Sequence, residues 1–347
     1  MAMRVSFITS VDEQCGIAIY SHELADELRS HIRLDIVPYD TEFPISSNLT
    51  HIQFQYPFFG GLAPHKTQFP AFLKKTSRPN IVTLHEIDLS GKPLIRFLKH
   101  WFNRRLFNTD LIEHFIVHTH SMKEQLVSLH ISPLKITVIP MWAPKVEKSL
   151  NSTLEAKQSL GLDGNIVLGV FGFVVQRRGY DLLLDALDII PPKVTLAIIG
   201  GPHRFDQTNY FELLKTRIAA RPDRDHITIT GYLSDSQLLQ WMTAIDIAVA
   251  PFTDLAASAS VLRCVAYEKP IIISDVPFAM ELQERANCLS LFKTGSATSL
   301  RAKIDSLVQD IDYRKNLTQK AHAYAQSYTA LQAAGQTLKI YDLVRSK

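Results

Sequence analysis

Short apolar runs alternate with helix-period segments along the whole chain. MRVSFITS, residues 3–10, reads as a strand. GIAIYSHELADELRSH follows as a helix, with Ile17, Leu24 and Leu28 returning at helical spacing. LDIVPYD, HIQFQY, NIVTLHE, HFIVHT and ITVIP then read as further strands, rich in β-branched residues and closed by polar or turn residues. The stretch 141–165 breaks this rhythm with prolines, mixed charge and no long strand. Beyond it the alternation restarts with IVLGVFGF, KVTLAIIG, HITITG, DIAVAPF, PIIISD and NCLSLF as strands, with helical segments between them. From about Ser299 the pattern is helical throughout.

Such a βαβ rhythm predicts parallel sheets covered by helices on both faces. A chain of 347 residues exceeds one ordinary core. The expectation is therefore α/β, two doubly wound Rossmann-like domains facing each other across a cleft. Residues 1–150 form the first, 151–165 a linker, 166–325 the second, and 326–347 a helical tail that crosses back to the first.

Composition narrows the classes. Hydrophobic residues make up 46% and charged residues 20%, which suits a globular protein. A formal net charge of +3 gives no general argument for binding nucleic acid. Cys15, Cys264 and Cys288 are too scattered for a disulfide framework or a zinc cluster, which favours a reducing compartment. The start MAMRVSFITS lacks a signal-peptide core, and no run approaches the ~20 apolar residues of a membrane span. The expected location is the cytoplasm, with peripheral contact at the inner face of the membrane left open.

Ligands of open α/β sheets lie outside the carboxyl ends of the strands, so residues there are the functional candidates. Gly16 opens the first helix, where free amides and the helix dipole favour an anion, although a simple tight turn explains it too. No G-x-G-x-x-G accompanies it. His85 follows NIVTL directly and is placed either to meet a hydroxyl or to be satisfied by the loop. His118 and His120 in HTHS suggest no third metal ligand, and no metal is expected. In GVFGFVVQRRGYDLLLDAL, Gly172 ends a strand, Gly179 starts a helix, and Arg177 and Arg178 lie between, suited to a diphosphate. Ser258, Ala259 and Ser260 open another helix, with Arg263 about one turn on. RFLKHWFNRRLFN, residues 96–108, is basic and aromatic. An amphipathic helix packing Phe97, Trp101 and Leu106 inward is favoured over a membrane-facing segment. QYPFFGGLAPHK, residues 55–66, suits part of an acceptor site.

In order and spacing, these segments together resemble the GT-B retaining glycosyltransferases of the large family often called family 4 or group 1, over most of the chain. The resemblance implies transfer of a hexose from a nucleotide-sugar (UDP- or GDP-hexose) to a hydroxyl acceptor with retention of configuration, and no tightly bound cofactor. By the resemblance, Gly16 approaches the donor phosphate, His85 contacts the transferred sugar, and Arg178 clamps the diphosphate. Ser258, Ala259 and Ser260 match the stretch whose amides meet the phosphates. The sequence departs from the family at three places. Phe173 stands where a second basic residue is usual, with Arg177 as a substitute. Leu255 and Arg263 stand where a pair of glutamates is usual, and Arg263 cannot accept hydrogen bonds from ribose hydroxyls. Glu281 matches a later acidic position. These departures keep an alternative open, a catalytically degenerate GT-B protein that binds or regulates an active transferase.

Overall fold

The structure is a computed structural model that describes residues 3–11, 16–41, 47–61, 66–149, 151–203, 208–254 and 257–346. The chain forms two compact units, Met1–Trp142 with Tyr328–Lys347, and Ala143–Ser327.

In the first unit the strands are β1 (Arg4–Thr9), β2 (Arg33–Pro38), β3 (Leu49–Phe54), β4 (Asn80–Leu84), β5 (His114–Val117) and β6 (Ile136–Val138). The helices are α1 (Gly16–Arg29), α2 (Phe69–Leu73), α3 (Pro93–Phe107) and α4 (His120–Ser128). All strand pairs are parallel, in the order β2-β1-β3-β4-β5-β6. Strand β3 is buried along its whole length, as a central parallel strand must be when both faces are covered. Its polar residues His51 and Gln53 stand two positions apart, and side chains at that spacing share one face.

The second unit opens with α5 (Thr153–Ser159), followed by β7 (Ile166–Phe171), α6 (Tyr180–Ala186), β8 (Val194–Ile199), α7 (Tyr210–Ala219) and β9 (Ile227–Ile229). Then come α8 (Asp235–Ala244), β10 (Ile247–Ala250), α9 (Ala259–Ala266), β11 (Ile271–Ser274), α10 (Pro277–Ala286), β12 (Leu289–Phe292), α11 (Ala297–Gln309) and α12 (Ile311–Ser327). This sheet is also parallel, in the order β12-β11-β10-β7-β8-β9. Chain order reverses between β7 and β10, where Ile247 pairs with Leu168. Such a switch point opens a crevice at the strands' carboxyl ends.

Two boundaries differ from the sequence expectation. The first unit ends at Trp142, not 150, and residues 151–165 belong to the second unit. Helix α5 within them is a packed element. Ser152 and Glu155 form a reciprocal cap, Ala156 and Leu162 are buried, and Lys157 pairs with Asp246 at 2.5 Å. The last helix, α13 (Ala330–Arg345), belongs to the first unit, packs against α1 and buries Thr337 and Tyr341.

Helix α3 corrects a further expectation. Leu106 is buried, but Phe97 is 68% and Trp101 47% exposed. The inward stripe is instead Phe102, Asn103, Leu106 and Phe107. The segment is apolar around more than half its circumference, so periodicity alone selects no face.

Candidate active site

In the second unit, the carboxyl end of β7 runs into Gly172, whose φ is +120°. Its amide donates to the Ile199 carbonyl at 2.9 Å, which extends the ladder by one step. A short 3-10 turn over Gln176–Arg178 then leads to Gly179, at φ +72°. Both glycines are required conformationally, and Gly179 sterically as well. A Cβ at Gly179 would lie 1.8 Å from the Pro251 carbonyl oxygen, and one at Gly172 would lie 2.6 Å from Nη1 of Arg178.

Arg178 therefore lies over the glycine. Its Nη1 donates to the Phe171 carbonyl and to Ser260 Oγ, each at 2.9 Å, and its guanidinium sits 5.3 Å from the Phe252 ring centroid. The side chain is part-buried. Burial holds its pKa below the ordinary arginine range, and the neighbouring Arg177 acts in the same direction. Among the described residues no carboxylate forms an ion pair with Arg178. An enclosed cation without a counter-ion is costly, and an anion relieves that cost.

The start of α9 lies beside it. Ser258 caps this helix by accepting from the Val261 amide at 3.2 Å, and its hydroxyl is 3.0 Å from that of Ser260. Ser258, Ser260 and Arg178 thus form one hydrogen-bonded line, with Ala259 opening the helix between the serines. Arg263 places its guanidinium 5.7 Å from the Phe171 ring centroid, and its Nε is buried without a hydrogen-bond partner. Phe171 therefore carries contacts to both arginines.

Other expected positions separate from this cluster. Arg177 is exposed, and its backbone carbonyl accepts from the Thr253 amide at 3.1 Å. Phe173 packs edge-on against His203 with ring centroids 4.6 Å apart. Glu281 lies in α10. Leu255 and Cys15 fall outside the described residues.

In the first unit, Gly16 is the first residue of α1. His85 follows β4, part-buried at its carboxyl end. Both its ring nitrogens have protein partners. Nε2 lies 2.9 Å from Gln53 Oε1, and Nδ1 lies 3.3 Å from Nε2 of His118. His118 Nδ1 meets the Ile139 carbonyl at 3.0 Å. On the other side, Gln53 Nε2 lies 3.2 Å from Nε2 of His51. His51 Nε2 is also 2.7 Å from Thr83 Oγ1, and its Nδ1 is 2.7 Å from the Tyr341 hydroxyl. The Tyr20 ring packs edge-on to both His85 and His118. Burial lowers the pKa of all three histidines, to about 4 for His118, to about 3 for His51, and well below the ordinary value for His85. His118 thus serves His85, while His120 is exposed on α4, so the two do not form a ligand pair. Among the described residues no three His, Cys, Asp or Glu side chains are grouped to hold a metal.

Gln53, His51 and Tyr341 were not candidates from the sequence. The available signal was two polar residues at alternate positions inside a run that otherwise reads as a buried strand. In the 55–66 segment, Tyr56 and Phe59 are buried, with Phe59 stacked on Phe54. Those aromatics pack the core, and residues 62–65 fall outside the described residues.

Comparison with known proteins accords with this arrangement. Residues 152–324 match the family "Glycosyl transferases group 1". The chain is 27% identical over 204 residues to the lipopolysaccharide core biosynthesis mannosyltransferase LpsB of Rhizobium meliloti, covering 53% of this chain and 55% of that one. It is 24% identical over 236 residues to an N,N'-diacetylbacillosaminyl-diphospho-undecaprenol alpha-1,3-N-acetylgalactosaminyltransferase of Campylobacter jejuni, covering 66% and 60%. The matches therefore span little more than half the length of these curated relatives. Among solved structures, Anabaena Alr3699/HepE in complex with UDP and glucose superposes with a TM-score of 0.76 at 17% identity, over 98% of this chain and 99% of that one. The chain has the GT-B fold, two parallel sheets each flanked by helices, and residues 152–324 match the group 1 glycosyl transferases.

Proposed function

We propose that the protein transfers a hexose from a nucleotide-sugar, a UDP- or GDP-hexose, to a hydroxyl acceptor with retention of configuration. The observation that carries this reading is Arg178, enclosed beside the amino end of α9 at the switch point of the second sheet, without a carboxylate partner among the described residues. A nucleotide diphosphate supplies the missing charge. The Ser258 and Ser260 hydroxyls and the α9 amides offer further donors. As the bond from the sugar's anomeric carbon to the diphosphate oxygen breaks, negative charge grows on that oxygen. Arg178 opposes this charge most strongly in the transition state. The acceptor oxygen bonds to the same carbon, and its proton passes to the departing diphosphate. His85 is assigned to the transferred sugar.

The test is incubation of purified protein with UDP-, GDP- and ADP-hexoses, following both binding and nucleotide release. Binding by one donor class with slow nucleotide release supports the reading. Binding without transfer to any acceptor would support a degenerate protein that partners an active transferase. Absence of both binding and release would overturn the donor assignment.

The acceptor reading starts from α3. Leu94, Ile95, Phe97, Leu98 and Trp101 are all exposed on this helix, which carries Arg96, Lys99, Arg104 and Arg105 and no acidic residue. Arg105 lies over the Trp101 ring, and Trp101, Arg104, Arg105 and Asn108 line a cavity of about 340 Å³. No helix among the described residues is long and apolar enough to cross a membrane. Large apolar side chains beside arginines that form no ion pair among the described residues suit the boundary of an anionic lipid surface. We therefore assign the protein peripheral contact with such a surface through α3, and a lipid-linked acceptor.

A further inference from the structure

The contacts from Ile139 through His118 and His85 to Gln53 allow only one arrangement of hydrogens when every member is uncharged. A carbonyl only accepts, so His118 Nδ1, facing Ile139 O at 3.0 Å, must carry a hydrogen. Neutral His118 then has a bare Nε2. The atom facing it, His85 Nδ1 at 3.3 Å, must donate. Neutral His85 is thereby left with a bare Nε2, which needs a donor from Gln53. With the Gln53 oxygen at that nitrogen, His85 Nε2 would have to carry the hydrogen. Two lone pairs would then oppose each other between His85 and His118 unless the pair held an extra proton. A half-turn of the amide removes the conflict without changing its shape. The Gln53 NH2 then donates to His85, its oxygen faces His51 Nε2, whose hydrogen is shared between Gln53 at 3.2 Å and Thr83 Oγ1 at 2.7 Å, and His51 Nδ1 accepts from the Tyr341 hydroxyl.

We infer that Gln53 is a positioning residue, held by His51 and Tyr341, that fixes His85 as the Nδ1–H tautomer with Nε2 as an acceptor, through a single directed chain running Tyr341–His51–Gln53–His85–His118–Ile139. The orientation is set at one end by the Ile139 carbonyl, which can only accept, and is passed on through Gln53, which can both donate and accept. The other groups around the two rings do not disturb it. Tyr20 presents a ring edge, and the Glu86 carboxylate accepts from the Tyr56 amide. Burial depresses the pKa of both His85 and His118, which disfavours the extra proton that the opposite amide orientation requires. This inference concerns the ring's hydrogen and stands whether or not the protein transfers a sugar.

Long-range proton–nitrogen NMR on the full chain, labelled with nitrogen-15 at histidine, tests it at pH 7 without substrate. The expected result is His85 and His118 as Nδ1–H and His51 as Nε2–H. Finding His85 as Nε2–H or as imidazolium would overturn the inference. Two variants cross-check the cause. In Gln53→Glu the carboxylate can only accept, so His85 Nε2 must gain a hydrogen and its pKa should rise by at least about one pH unit. In His118→Phe the acceptor for Nδ1 is gone, and His85 should revert to Nε2–H donating to Gln53. A folded variant of either kind that keeps His85 as Nδ1–H would also overturn the inference.

Discussion

The Arg178 guanidinium occupies the space that a side chain at residue 172 would need, because a Cβ on Gly172 would come within 2.6 Å of Nη1. The glycine and the arginine are therefore one device. Gly172→Ala should displace the guanidinium from Ser260 and, if Arg178 holds the donor diphosphate, should weaken donor binding much as Arg178→Ala should. It should also cost stability, about 1–3 kcal/mol, because φ at this position is +120°. Thermal unfolding measured beside donor titration would check both effects. Unchanged donor affinity in a folded Gly172→Ala protein would separate the pair.

Arg178→Ala makes a different pattern. In the proposed role the side chain would stabilise charge that grows as the glycosyl bond breaks, so the single-turnover rate should fall about a hundredfold, roughly 3 kcal/mol. Folding stability should stay level or rise, because an enclosed cation with no carboxylate partner among the described residues is removed. A loss of rate with unchanged melting temperature is the expected signature. A parallel loss of both would make Arg178 a structural residue.

Acid should destabilise the first unit in a definite window. His51, His85 and His118 have folded pKa values depressed by burial, so below the ordinary histidine value the unfolded chain binds more protons than the folded one. Stability therefore falls as pH drops from about 6.5 toward about 4, where His118 begins to titrate in the folded state. Each histidine contributes a slope of up to about 1.4 kcal/mol per pH unit in that range. Urea unfolding at stepped pH would measure it. His118→Phe should make the dependence shallower, and an unaltered slope would remove His118 from the account.

His85→Ala tests the assignment of His85 to the sugar. It deletes a ring whose two nitrogens already have protein partners, so some stability must be lost with Gln53 and His118 left unpaired. A role at the sugar requires turnover under limiting donor to fall well beyond what the change in stability accounts for. Loss of the two in step would leave His85 a core histidine.

Local features of the sequence located much of this. Strand ends, the glycines at 172 and 179 and the serines at 258 and 260 mark turns and a helix start locally, so composition and spacing reveal them, although Gly179 faces Pro251 and Ser260 meets Arg178 across long stretches of chain. The Tyr341–His51 contact joins residues 290 positions apart and has no local trace. The sequence places His85 at a strand end but cannot show that both its nitrogens are taken. Helix α3 failed for another reason. Leu94, Ile95, Phe97, Leu98 and Trp101 continue the apolar pattern of the buried Phe102, Leu106 and Phe107, and a pattern that wide is compatible with either face turned inward.

Arg263→Glu asks whether the departure from the usual glutamate is adaptive. In the folded chain the Arg263 Nε is buried without a hydrogen-bond partner, beside the Phe171 ring that ends β7. If Arg263 meets a charged part of the donor, the glutamate variant should bind that donor at least about tenfold more weakly, the cost of replacing attraction by repulsion near a part-buried anion. Donor choice should then shift toward sugars without that charge. If the site has decayed, the variant should bind as well as the parent, or better where glutamate accepts ribose hydroxyls. Affinities for a neutral and an acidic hexose donor, measured with parent and variant, distinguish these results. An equal loss for both donors would place the effect on the nucleotide. A loss confined to the acidic donor would place it on the sugar.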